Sequence, residues 1–291
     1  MMFDMENDVN FEFISTNGIK LHTAMSGPEE GEPVILLHGY PDAWFGWMAQ
    51  IIALSKAGFR VVAPDQRGYN LSDKPEGVNS YAMDTLVKDI IGLADSLGFE
   101  RFHLAGHDFG GLVSWRLVTM HPERVKSLAI LNVPHPEVMN QYLRKHISQI
   151  IKSWYAFFYQ LPALPEYLMR ANNWRFLISA MAKGLSEAQR NRYREAWAQP
   201  GAITSMINWY RALFRRMGFK KDKASLIEVP TLMLWGKQDP HISYAMVQPS
   251  LDRCLNSRLV TFENASHWVM ADEPDKVSQC LIEHFRNEAG V

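Results

Sequence analysis

The sequence predicts an α/β protein: a mostly parallel, doubly wound sheet carrying an inserted helical cap. Three observations predict it. Short, nearly continuous apolar runs recur at both ends of the chain, as in "PVILLHG", "RFHLAGH" and "PTLMLWG". Such runs are what a strand buried on both faces requires. Helical stretches separate one run from the next, and this alternation implies right-handed crossovers between parallel strands. Finally, the strand pattern stops beyond Pro134 and resumes only at "PTLMLWG", with a long helical segment between.

The elements follow in order. "FEFIST" and "IKLHTAMSG" alternate around Asn17-Gly18, a two-residue turn signal, so the chain opens with a short antiparallel hairpin. "PVILLHG", "FRVVAPD", "RFHLAGH" and "VKSLAILNV" are the next four strands, all read as parallel. Helices are expected at residues 44–57, 81–97 and 109–121, with Gly58 and Gly98 placed as C-terminal stops. Residues 137–223 read as mostly helical, interrupted at "LPALPE" and "QPG". "SRLVTFE" is a last strand and residues 275–287 a closing helix. The expected division is therefore a core of residues 1–133 and 226–291 with a helical cap, or lid, at 134–225.

Composition excludes several classes. With 291 residues, 47% of them hydrophobic and 21% charged, the chain can bury a large core and is neither disordered nor fibrous. The net charge of −1 gives no reason to expect nucleic acid as a partner. From Gln141 to Lys223, however, fifteen Lys and Arg face four Asp and Glu, a net of +11 that leaves −12 on the remainder. That charge split coincides with the expected cap. Cys254 and Cys280 have no metal-ligand spacing, and the ten histidines nowhere form a ligand-spaced cluster, so neither metal nor cofactor is expected. The acidic N-terminal segment and the lack of a long apolar run predict a cytoplasmic protein without a membrane span.

Polar residues just past strand ends are informative, because ligands of open α/β sheets bind at the carboxyl ends of strands. Asp108 follows "RFHLAG", Asp239 follows "PTLMLWGKQ", and His267 follows "SRLVTFENAS". "HLAGHDFGGLVSW" reads as strand, tight turn and helix, the setting of a nucleophile elbow, with Gly106 and Gly110 two residues on either side of Asp108. Nucleophile, acid, histidine is also the chain order of a hydrolase triad. "LLHGYPDAW" places His38, Gly39, Tyr40 and Pro41 at another strand end, where the amides of Tyr40 and Phe109 could form an oxyanion hole. A cis bond before Pro41 suits so tight a turn.

A carboxylate at the elbow points to a particular chemistry. Serine attacking an sp³ carbon would leave an ether that a positioned water could not readily hydrolyse. Aspartate leaves an ester. His267, oriented by Asp239, can then activate water against the carbonyl carbon of Asp108.

"HGYP", "GHDFGG", "WGKQDP" and "ASHWV" together resemble the epoxide hydrolase branch of the α/β-hydrolase fold, from about residue 11 to 287. The resemblance implies an aspartate nucleophile and two cap tyrosines that assist the leaving oxygen. "SWYAFFYQLP" matches the first with Tyr155 and "INWYRALF" the second with Tyr210. Periodicity alone does not choose Tyr155 over Tyr159, which shares its helix face. Trp154, Phe157, Phe158, Trp209, Phe214 and Trp268 are the expected apolar lining of the substrate pocket. Partners are then an epoxide and water, with the chain a monomer or homodimer. Two other readings stand beside this one. Dehalogenases use the same aspartate, but haloalkane dehalogenases commonly have Trp directly after it where this chain has Phe109. Fluoroacetate dehalogenases have arginines at the positions of Phe109 and Leu112, and His at that of Tyr155. A non-catalytic ligand-binding protein on the same scaffold would be free to lose a triad member, and none is missing.

Overall fold

The computed structural model describes residues 8–215 and 226–286. Eight strands form one sheet: β1 (Asn10–Thr16), β2 (Ile19–Ser26), β3 (Pro33–Leu37), β4 (Arg60–Pro64), β5 (Phe102–His107), β6 (Val125–Leu131), β7 (Thr231–Gly236) and β8 (Ser257–Phe262). Their spatial order is β1-β2-β4-β3-β5-β6-β7-β8. β1 pairs antiparallel with β2 across the Asn17-Gly18 turn, and β2 pairs antiparallel with β4; every other neighbouring pair is parallel. All residues of β5 and β7 are buried, which is why these strands read as unbroken apolar runs. The edge strands β1 and β8 are largely exposed or half-exposed.

Helices α1 (Met48–Lys56), α2 (Met83–Ser96) and α3 (Phe109–Met120) connect the strands, with a short 3₁₀ turn at Trp44–Trp47 ahead of α1. Both expected glycine stops are present. The amides of Gly58 and Phe59 donate to the carbonyls of Ser55 and Leu54, and those of Gly98 and Phe99 to Asp95 and Ala94, the pairing of a Schellman cap.

Between β6 and β7 lie α4 (Pro136–Lys145), α5 (Ile147–Lys152), α6 (Trp154–Phe158), α7 (Leu164–Ala180), α8 (Glu187–Ala198) and α9 (Ala202–Phe214). The breaks at "LPALPE" and "QPG" separate α6 from α7 and α8 from α9. A further break was not expected: Asn172, Asn173 and Trp174 are all left-handed, which interrupts α7. Asparagine tolerates that conformation better than most residues. The end of the expected helical segment, residues 216–225, lies outside the described residues. After β7 come α10 (Val247–Leu251), α11 (Val269–Asp272) and α12 (Pro274–Arg286). Among the described residues no helix is long and apolar enough to cross a membrane.

The helices of the β6–β7 segment are fastened to the sheet side by polar bonds as well as by packing. Trp197 Nε1 donates to the Pro41 carbonyl at 2.6 Å and Trp209 Nε1 to that of Arg67 at 3.0 Å. Tyr193 donates to Asp42 Oδ1 at 2.8 Å, and Gln149 Nε2 to the His241 carbonyl at 2.7 Å. Satisfying buried polar groups in this way fixes orientation, which apolar contact alone does not. Several of these anchors sit on the turns that carry the candidate site.

Candidate active site

The site forms where strands β3, β5, β6 and β7 end. Asp108 stands between β5 and α3 with φ +49° and ψ −119°, an unusual conformation for a side-chain-bearing residue and the geometry of a sharp elbow. A Cβ on Gly110 would run into the carbonyls of Leu37 and His38, and one on Gly106 into the Gly110 carbonyl and Ser114 Oγ. The glycines therefore let strand and helix approach closely enough to push Asp108 out of the turn. Its side chain retains 17% exposure, although the residues before and after it are buried.

Two groups reach it directly, and a third acts through one of them. The Tyr40 amide donates to Asp108 Oδ1 at 2.9 Å. His267 Nε2 lies 3.5 Å from Asp108 Oδ2, and its Nδ1 lies 2.7 Å from Asp239 Oδ2. Asp239 Oδ1 in turn accepts the amides of His241 at 2.7 Å and Ile242 at 2.9 Å. The second expected oxyanion donor, the Phe109 amide, is the first of α3, where no preceding turn can accept it. The peptide bond between Tyr40 and Pro41 is cis.

Electrostatics follow from that arrangement. Burial works against charge on Asp108, but the hydrogen bond and charge of His267, helped by the Tyr40 amide, outweigh it and pull the carboxyl down to about 2. Burial likewise opposes charge on His267, yet the carboxylates of Asp239 and Asp108 push its imidazole up to about 10. Asp239 is lowered in spite of burial, chiefly by His267 and then by Asn132 and Ile242. All three shifts favour the charged forms, a carboxylate, an imidazolium and a second carboxylate in line.

The two expected tyrosines pack together beside the turns that carry Tyr40 and Phe109. Tyr210 packs edge-on against Phe109 at 4.7 Å and Tyr40 at 5.0 Å between ring centroids, and Tyr155 meets Tyr210 at 5.9 Å. Burial raises both phenols well above the ordinary tyrosine value, and the charge of Asp108 raises both further, so both stay protonated. The structure separates Tyr155 from Tyr159, which the helical period did not. Tyr159 is buried and its hydroxyl accepts from Tyr40 Oη at 2.8 Å. Tyr155 is half-buried, with its ring 5.6 Å from His241.

The six expected pocket residues divide. Trp209 and Trp268 are buried, and each donates its indole N–H to a main-chain carbonyl, that of Arg67 and of Ala180 respectively. Phe158 is half-buried against Tyr159. Trp154, Phe157 and Phe214 are exposed, with Phe157 edge-on to Phe214 at 5.0 Å. Packing between helices, rather than the composition of the segment, decides which aromatic faces inward.

Two residues of the site were not anticipated. Asn132, fully buried at the end of β6, donates to Asp239 Oδ2 at 2.9 Å and brackets Gly236, accepting its amide at 2.8 Å and donating to its carbonyl at 3.2 Å. It is a polar residue at a strand end, like Asp108 and Asp239, and the same rule would have found it. His107 precedes Asp108; its Nε2 meets the His267 carbonyl at 2.9 Å, and burial, then the charge of His267, hold it neutral with a pKa near 3. Its neighbour in sequence was the only signal for it.

Comparison with known proteins accords with the geometry. Residues 32–274 match the family model of the alpha/beta hydrolase fold. AB hydrolase superfamily protein YfhM of Bacillus subtilis (strain 168) is 44% identical over 287 residues, spanning 96% of this chain and 99% of that protein. Epoxide hydrolase 4 of Homo sapiens is 34% identical over 287 residues, spanning 94% of this chain and 78% of that one. The crystal structure of an epoxide hydrolase from Bacillus megaterium in complex with an inhibitor superposes with a TM-score of 0.87 at 30% identity, covering 95% of this chain and 100% of that chain. An eight-stranded sheet with an aspartate elbow and relatives of near full-length coverage place this chain in the α/β-hydrolase fold family, on its epoxide hydrolase branch.

Proposed function

We propose that the protein hydrolyses an epoxide to a vicinal diol through a covalent ester on Asp108. The observation that carries this reading is the line of Asp108, His267 and Asp239, 3.5 Å and 2.7 Å apart, with the Tyr40 amide 2.9 Å from the first carboxylate. The relatives named for epoxide hydrolysis support it. Residues 134–225 serve as the cap, bringing Tyr155 and Tyr210 over the elbow.

The charges of the resting site account for both halves of the reaction. Asp108, held ionised, attacks an epoxide carbon while the C–O bond breaks and the oxygen takes a proton from Tyr155 or Tyr210. An alkoxide is a poor leaving group, so this donor carries part of the barrier. Esterification removes the charge of Asp108, one of the two carboxylates that keep His267 protonated, so the imidazole pKa falls. Its proton returns to the phenolate and the histidine becomes a base. Water then attacks the ester carbonyl carbon as His267 accepts its proton, and the oxyanion is held by the amides of Tyr40 and Phe109. Collapse releases the diol oxygen, which takes the proton left on the regenerated carboxyl group. Asp108 and His267 end charged as they began.

The test is intact-protein mass spectrometry of His267→Gln with a styrene-type epoxide. The variant should retain one whole epoxide per chain and release little diol. A haloalkane would add its mass less the hydrogen halide, so the same spectrum separates ring opening from dehalogenation. Rapid diol release with no adduct would overturn the covalent mechanism.

A further inference from the structure

The outer surface of the β6–β7 helical segment has a character that the site does not explain. Ten of the seventeen large apolar side chains exposed among the described residues fall in the thirty residues from Ile147 to Phe176. Ile147 is 74% exposed, Tyr167 72%, Ile151 65% and Trp154 54%. Ring contacts join part of this set across helices: Trp154 on α6 meets Phe176 on α7 at 6.3 Å, and Phe157 on α6 meets Phe214 on α9 at 5.0 Å. Exposed apolar groups in such density mark an interaction surface.

Its charge narrows the partner. Between Val138 and Ser186 stand six cations, Arg144, Lys145, Lys152, Arg170, Arg175 and Lys183, and a single acid, Glu166. Glu166 is already paired with Arg211 at 2.7 Å. A second copy seated on this face by two-fold symmetry would set cations against cations. An anionic lipid surface complements it: basic side chains meet headgroups while Trp, Tyr, Phe and Ile enter the boundary with the acyl chains. The described part of the segment, residues 141–215, carries eleven Lys and Arg against three Asp and Glu, and a net +8 there would also turn the molecule so that this side meets the membrane.

We propose that this face docks the protein reversibly on anionic bilayers without any segment spanning them. The short helix α6 carries Trp154 and Phe157 outward and Tyr155 on its half-buried side, so docking would set lipid beside the candidate site. The docking surface stands independently of the activity proposed above.

The test uses the full chain in co-sedimentation with sucrose-loaded vesicles, either phosphatidylcholine alone or with one third phosphatidylglycerol. Affinity for the anionic vesicles should exceed that for neutral ones by about tenfold or more, and should collapse at about 1 M salt, where screening acts within ~3 Å. Ile147→Glu with Ile151→Glu, and separately Lys145→Glu with Arg175→Glu, should each abolish the difference while circular dichroism and epoxide turnover in solution stay unchanged. These side chains are exposed, so their loss tests the surface and not the core. Binding to neither vesicle, or equally to both, would overturn the proposal. So would light scattering that shows a wild-type dimer which the Ile147→Glu, Ile151→Glu variant converts to monomer, since the face would then be a contact between copies.

Discussion

Removing Asn132 should separate the two half-reactions without touching a reacting atom. In Asn132→Ala, Asp239 Oδ2 loses a donor at 2.9 Å and the buried Gly236 amide loses its acceptor at 2.8 Å. A hydrogen bond to a charged group contributes about 1.5–3 kcal/mol, and a stranded buried amide costs about 1–3 kcal/mol. Alanine must also adopt φ +46°, which adds about 1–2 kcal/mol. The expected destabilisation is roughly 3–5 kcal/mol once partial relaxation is allowed. Asp239 would then orient His267 less firmly. If the whole of the charged hydrogen bond is felt in the hydrolytic transition state, at about 1.4 kcal/mol per tenfold, ester hydrolysis slows by about 10- to 150-fold. Ring opening, which does not use His267 as a base, should change by much less. Asn132→Gly removes the same side chain without the cost of a Cβ at φ +46°, and so separates the lost hydrogen bonds from the backbone strain. The assay is rapid-quench kinetics with intact mass, following ester formation and decay, beside calorimetric melting. Ester decay within about twofold of wild type in both variants would refute the argument that Asn132 holds Asp239 to its task.

Other outcomes follow from the same geometry. Tyr155→Phe or Tyr210→Phe alone should slow ring opening by about 10- to 10³-fold and the double substitution should remove nearly all of it, measured by single-turnover ester formation; equal rates in wild type and double variant would exclude both phenols. Burial pushes the Asp42 carboxyl up to about 7, although the Ala43 amide and Tyr193 hydroxyl partly offset it. A raised carboxyl contributes stability that is complete below about 3.8 and lost as pH rises through about 7. Asp42 thus opposes the rise in stability with pH that the buried neutral histidines His103, His107, His135 and His284 produce over the same window, so Asp42→Asn should make the melting temperature climb more steeply between about 4 and 7; an unaltered slope would show that Asp42 makes no such contribution.

The strand runs, glycine stops and elbow were legible because each depends on short-range chemistry: a strand buried on both faces must be apolar, and a close backbone approach must lack a Cβ. Asp108, Asp239 and His267 were legible for a related reason, since a parallel sheet sends the end of every strand to the same edge whatever the rest of the chain does. Local pattern did not distinguish Tyr155 from Tyr159. Both occupy one face of α6 and its end, and only the approach of Tyr40 to Tyr159, from a turn 119 residues earlier, shows which hydroxyl is already bonded. The same holds for the aromatic residues expected to line the pocket. Trp209 and Trp268 find main-chain carbonyls on distant segments and are buried, whereas Trp154 and Phe157, no less apolar, face outward. A side chain's hydrophobicity is a property of the residue, but its direction depends on which helix packs beside it, and that is decided only when the whole chain has folded.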